Sequence, residues 1–178
     1  MGSKSKKKSY ANQAEVAKLF SEWTGKTFKQ VPRSGGLRWG GAFWTYGDIV
    51  PPRDLRLVIE CKHYKEVRIE DLLGNHKVKN PVTSQIAEWW YAQTVPDAER
   101  CRRELELDRV EPMLCWKRDY GRIRLCINQG FLWEIDAHEN VQSLPRLHVN
   151  LPGHDPFVIL DLRDFFRVVP PTVCPRVE

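Results

Sequence analysis

The sequence predicts an α/β or α+β fold, with a central mixed β-sheet flanked by helices. Three observations carry this reading. An amphipathic helix opens the ordered part of the chain, two strand-like runs follow it, and a long helical stretch then separates these from a hairpin. The order helix, three or four strands, helices, hairpin does not have the regular alternation of a doubly wound sheet.

The opening residues carry Lys4, Lys6, Lys7 and Lys8 with almost no apolar content, so residues 1–9 are expected to form a flexible basic tail. Val16, Leu19, Phe20 and Trp23 then fall at i, i+3, i+4 and i+7, the spacing of one helix face, and Gly25 stands where that helix should stop. "KTFKQVP" reads as a short strand and "RSGGLRWGG" as a glycine-rich loop. "FWTYGDIV" and "LRLVIECKH" read as two strands joined by the "PPRD" turn. In the second, Leu55, Leu57, Ile59 and Cys61 alternate with Arg56, Val58, Glu60 and Lys62. Period two therefore places Glu60 and Lys62 on one face and the first set on the other.

A short helical piece around "RIEDLLGN" leads to "TSQIAEWWYAQTV", a helix with Thr83 or Ser84 as its cap, and "PDAERCRRELELD" continues with Pro96 at its first turn. Trp89, Trp90 and Tyr91 are consecutive, so one of them should face outward or lie at an interface. "EPMLCWKRDYGRIRLCIN" is a hairpin around "RDYG". Beyond it, a segment rich in Pro, His and Asn contains one apolar run, "PFVIL", and a short helix at "DLRDFF". Residues 10–178 thus read as one domain, with a core over about 10–127 and a C-terminal extension over 128–178.

Composition narrows the function classes. A hydrophobic content of 42% in 178 residues supports a real core, and no apolar run reaches the roughly 18 residues of a membrane span. The start has lysines without the apolar stretch of a secretory signal, so a cytoplasmic protein is expected. Five cysteines in no paired spacing argue against a disulfide framework and a structural zinc site. The net charge of +5 suits a polyanionic partner without requiring one. "TGKT" at 24–27 is not a phosphate-binding loop, because Phe20 stands where the first glycine belongs, and no nucleotide cofactor is expected.

The chemistry-bearing stretch is "GDIVPPRDLRLVIECK". Hydrolysing a phosphodiester takes a divalent cation on hard oxygen ligands, an activated water, and positive charge near the phosphorane. Glu60 and Lys62 would lie roughly 6–7 Å apart on one strand face. Asp48 would approach from the neighbouring strand, and the Cys61 carbonyl would complete the ligands. The same spacing also arises on ordinary solvated strands. Arg33, Ser34, Gly35 and Arg38, with Trp39, form a loop suited to a DNA backbone, and His63 and Lys65 would extend a basic track, with Lys77 and Lys79 further on.

From Glu15 through "VPRSGG…GDIV…VIECK" the chain resembles the PD-(D/E)XK nuclease superfamily, and in particular small Holliday junction resolvases of the archaeal and phage-encoded type. The resemblance covers about residues 10–127, and Glu15, Ser34, Asp48, Glu60 and Lys62 match its core positions in order. It implies a restriction-endonuclease-like core, in which Asp48, Glu60 and Glu15 bind Mg²⁺, or Mn²⁺ in its place, and Lys62 serves the attacking water. It further implies that a later glutamine, Gln85 or else Gln93, lies near the site. A four-way junction needs two symmetrical cuts, so a homodimer is expected, with Trp89, Trp90 or the C-terminal segment as its surface. Gly47 stands where the superfamily pattern has proline. Two other readings stand beside the resolvase: a restriction-like or repair nuclease acting on duplex DNA or its ends, and a nucleic-acid-binding protein without catalysis.

Overall fold

The computed structural model describes residues 2–31, 46–65, 67, 69, 72, 85–136 and 141–176. The loop residues Arg33, Ser34, Gly35 and Arg38, the segment holding Lys77 and Lys79, and the caps proposed at Thr83 and Ser84 lie outside them.

Helix α1 (Gly2–Thr24) begins earlier than the sequence suggested. The lysine-rich segment expected to be a mobile tail is its first turns, since lysine is a good helix former and Lys8 pairs with Asp119 at 2.5 Å. The helix stops as expected at Gly25, whose φ is +68° and whose N–H donates to the Ser21 carbonyl. Strands β1 (Lys29–Gln30), β2 (Ile49–Val50) and β3 (Leu57–Tyr64) follow. Next come α2 (Gln85–Trp89), a π-helical turn (Trp90–Thr94) and α3 (Val95–Glu104). A proline crowds the carbonyl four residues before it, and the widened turn ahead of Pro96 accommodates it. Strands β4 (Glu111–Arg118) and β5 (Arg124–Asn128) form the expected hairpin.

The remaining elements are α4 (Gln129–Asp136), β6 (Arg146–Val149), β7 (Phe157–Asp161) and α5 (Leu162–Val168), which Asp161 caps by accepting the Arg163 and Asp164 amides. The mixed sheet runs in the order β1-β2-β3-β4-β5-β7-β6, with β3 and β4 parallel and every other pair antiparallel. The predicted α/β, α+β class with a helix-flanked mixed sheet is therefore observed. The C-terminal segment is more than an extension: β7 pairs with β5 along its whole length, from Arg124–Asp161 to Asn128–Phe157. Its β6 was hidden in the sequence among polar and loop-forming residues.

The strands bury both faces. On one, α1 and α5 lay Val16, Phe20 and Phe165 against Leu57, Ile59, Cys61, Met113, Cys115 and Leu160. On the other, α2 and the π turn cover Leu114, Trp116, Cys126, Phe157 and Ile159 with Ile86, Trp89 and Trp90, while α3 sets Ala98 and Cys101 against Val58. Trp89 and Trp90 are 3% and 1% exposed, so neither forms the dimer surface proposed from sequence. The π turn brings both indoles onto the sheet, and Tyr91 takes the outer position, stacked on His154.

Candidate active site

The period-two reading of β3 matches the packing: Leu57, Ile59 and Cys61 enter the α1 side, and Val58 enters the α3 side. Glu60 and Lys62 share the face of Val58 by alternation. Their side chains are 13% and 19% exposed, and Lys62 Nζ donates to Glu60 Oε1 at 2.6 Å.

Asp48 is placed by the backbone just before β2. Its N–H donates to the Ile59 carbonyl at 2.8 Å, and its Oδ2 accepts the Cys61 N–H at 3.0 Å. This double attachment brings a carboxylate that is only 7% exposed up against β3. Gly47 makes the approach possible. Its φ is +79°, and a Cβ there would stand 2.6 Å from the Ile59 carbonyl oxygen. A proline cannot adopt that φ, which gives a physical reason for "GD" in place of Pro-Asp.

The electrostatics are those of a site with too much negative charge for its burial. Burial, with the Asp48 carboxylate adding to it, pushes Glu60 up to about 7 against the opposing effect of Lys62. Burial works against the Lys62 charge, yet Glu60 and Asp48 hold its ammonium above the ordinary lysine range. A third carboxylate, Asp97 in the first turn of α3, feels the same centre. Burial raises it, Arg100 (2.8 Å away) and Lys62 lower it, and Asp48 raises it further. Sequence reasoning missed Asp97, because an acid in a first helical turn is fully accounted for by the helix dipole.

The other expected residues lie elsewhere. Glu15 is on the α1 side: Lys117 Nζ donates to it at 2.6 Å and Arg163 stands 4.0 Å away, so the sheet separates it from Glu60 and Lys62. The α1 residue that touches the site strand is Asn12, whose Nδ2 donates to the Lys62 carbonyl at 3.2 Å. His63 also points to the α1 side, bonded to Asp119 Oδ1 (2.9 Å) and the Lys8 carbonyl (3.2 Å). Lys65 is exposed just past β3. Gln85 opens α2 and Gln93 lies in the π turn, both half-buried.

Among the described residues no group of three or more His, Cys, Asp and Glu side chains is arranged to hold a metal ion. The pair Asp48 and Glu60 nevertheless fits a hard cation. Two buried carboxylates, of which Glu60 is raised by burial and then by the Asp48 charge, are relieved by positive charge, and Mg²⁺ takes few protein ligands, drawing the rest from water and substrate phosphate.

A mixed sheet flanked by helices, with a carboxylate clasped to a strand that carries Glu-x-Lys, is the arrangement of a PD-(D/E)XK nuclease. Residues 3–158 match the family described as "Phage putative PDDEXK endonuclease", and the chain belongs to that family. The family implies nuclease chemistry on DNA, and nucleases of this superfamily generally use divalent metals. No curated protein and no solved structure matched the chain. Among the described residues no helix is long and apolar enough to cross a membrane.

Two expectations follow from the geometry. Gly47→Ala drives a methyl group into the Ile59 carbonyl, so it should detach Asp48 from β3 and lower nicking of DNA at least ~100-fold while the protein remains folded by circular dichroism. The second concerns stability. The folded form holds the Glu60 proton more tightly than the unfolded chain does, so stability falls as pH rises from the ordinary carboxylate range through about 7. In EDTA at pH 8, Glu60→Gln should melt higher than the natural chain by roughly 3–8 °C. Near pH 4, where both states are protonated, the difference should vanish.

Proposed function

We propose that this protein is a divalent-metal-dependent DNA endonuclease whose active centre is Asp48, Glu60 and Lys62. The observation that carries the reading is the buried Asp48–Glu60 carboxylate pair with the Lys62 ammonium 2.6 Å from Glu60. Asp48 and Glu60 would hold Mg²⁺ or Mn²⁺, with the Cys61 carbonyl as a further oxygen donor beside them. The bound cation supplies Lewis-acid polarisation of the phosphate and acidification of water.

The chain's own groups do the remaining work. The Asp48 clasp on the Cys61 N–H fixes one carboxylate, and the Lys62 ammonium, held charged by Glu60 and Asp48, offsets negative charge developing on the scissile phosphate. Lys62 also orients the attacking water by hydrogen bonding. Asp97 is a positioning residue that biases the charge of the same centre. Attack in line with the departing 3′ oxygen leaves a 5′ phosphate. Glu15 is paired with Lys117 on the opposite side of the sheet, so we give it no direct role.

The substrate we favour is branched DNA of the four-way junction type, on the strength of the sequence likeness at Ser34, Asp48, Glu60 and Lys62. Two symmetrical cuts then require a homodimer. With Trp89 and Trp90 buried, the exposed Trp133 and Leu147 of the C-terminal third are better placed to meet a second copy. The alternative is a nuclease of ordinary duplex or DNA ends.

Lys62→Ala and Asp48→Ala should each reduce Mg²⁺-dependent nicking by about 10³-fold or more while DNA binding in EDTA persists. Offered a synthetic junction and a matched linear duplex, the natural protein should cut the junction at paired symmetrical positions. Equal cutting of both substrates would favour the duplex nuclease. Absence of any Mg²⁺- or Mn²⁺-dependent cleavage would remove the catalytic assignment.

A further inference from the structure

One row of the site-bearing sheet face continues away from Lys62. In register, Lys62 on β3 sits beside Trp116 on β4, Trp116 beside Arg124 on β5, and Arg124 beside Asp161 on β7. At the usual strand spacing, Lys62 and Arg124 are roughly 10 Å apart, about three base steps of duplex rise. Along this row lies a cavity of about 210 Å³. Val67 and Ile69 give it apolar wall, and Trp116, Arg118, Arg122 and Arg124 line the rest.

The charge of this cavity is only partly balanced. Arg124 and Arg122 approach the Asp161 carboxylate at 3.4 and 3.9 Å, and Asp161 also accepts two amides as the cap of α5. Arg118 is exposed and has no ion pair among the described residues. Three guanidinium groups thus face one carboxylate. Trp116 adds an independent sign of a missing ligand: it is 3% exposed, and its indole N–H is buried with no hydrogen-bond acceptor. The Cys126 thiol lies beside it and feels the indole N–H, but sulfur is a weak acceptor and leaves this donor short of a full hydrogen bond. A buried donor left unpaired costs about 1–3 kcal/mol, so an incoming anionic oxygen is favoured there.

We propose that the cavity along the Lys62–Trp116–Arg124 row is a subsite for a non-scissile backbone phosphate of the bound DNA strand. The inference rests on the endonuclease reading above and adds the direction in which the strand leaves the active centre, across β4 and β5. Guanidinium forks match phosphate oxygens, the indole N–H supplies a further donor, and no base edge need be read. The subsite would position the strand and contribute to affinity irrespective of sequence.

The test is the salt dependence of binding, measured by anisotropy of a labelled junction and a labelled duplex in EDTA between 50 and 200 mM NaCl, ~4-fold in salt. Arg118→Ala/Arg122→Ala should lower affinity about 10- to 100-fold and reduce the log–log slope by roughly 1–2. Arg118→Lys/Arg122→Lys should restore most of the slope. A control that removes two positive charges from the opposite side, Lys18→Ala/Arg167→Ala, should leave the slope as it is. If the natural protein binds and nicks DNA and the arginine variant keeps its slope, the subsite is wrong and the endonuclease reading stands. If the natural protein binds no DNA, both fall together.

Discussion

The clasp between Asp48 and β3 is the constraint on which the site depends. Two hydrogen bonds, from the Asp48 N–H to Ile59 and from the Cys61 N–H to the Asp48 carboxylate, hold a charged side chain against a strand whose other face is core. Such a contact requires a residue without a side chain immediately before the aspartate, and Gly47 at φ +79° is that residue. Burial, and then the Asp48 charge held there, makes Glu60 costly to ionise, and Lys62 becomes the compensating charge within reach. On the proposed reading, the affinity of the pair for a cation would follow from burial and like charge, not from a ready-made cage of ligands.

The rest of the fold maintains that geometry. Leu57, Ile59 and Cys61 anchor β3 to the α1 core, and α3 seals the opposite face around Val58. Parallel pairing with β4 over eight positions, from Leu57–Glu111 to Tyr64–Arg118, fixes the height of Glu60 and Lys62 in the sheet. The same pairing sets Trp116 in line with Lys62, and β5 adds Arg124 to the row, so the proposed active centre and the arginine-lined cavity share one scaffold. On the α1 side the polar groups form a separate set, with Glu15–Lys117 and His63–Asp119–Lys8 tying the first helix to the sheet.

Much of this was legible in the sequence where a local period decides the outcome. Alternation in "LRLVIECKH" gave the face of Glu60 and Lys62, the i, i+3, i+4 pattern gave α1 and its stop at Gly25, and "RDYG" marked the hairpin. What escaped depends on contacts distant in sequence. Glu15 sits at the edge of an apolar stripe in one dimension, and only the placement of α1 across the sheet turns it toward Lys117. Asp97 looks like an ordinary first-turn acid until α3 is laid over β3. Trp89 and Trp90 are buried together because a π turn replaces the regular helix, which residue spacing at 3.6 per turn does not anticipate. Strand β7 took its place in the sheet from pairing with β5, and β6 from pairing with β7, and a segment rich in Pro, His and Asn gave little sign of it.

The most direct measurement is crystallographic: crystals grown with Mn²⁺ and an uncleavable DNA strand, with data collected to locate manganese by its anomalous scattering. On this account the strongest anomalous peak lies between the Asp48 and Glu60 carboxylates, with a DNA phosphate on its open side and Lys62 beside it. A peak bound elsewhere, or a DNA strand seated away from this pair, would contradict the assignment of the active centre.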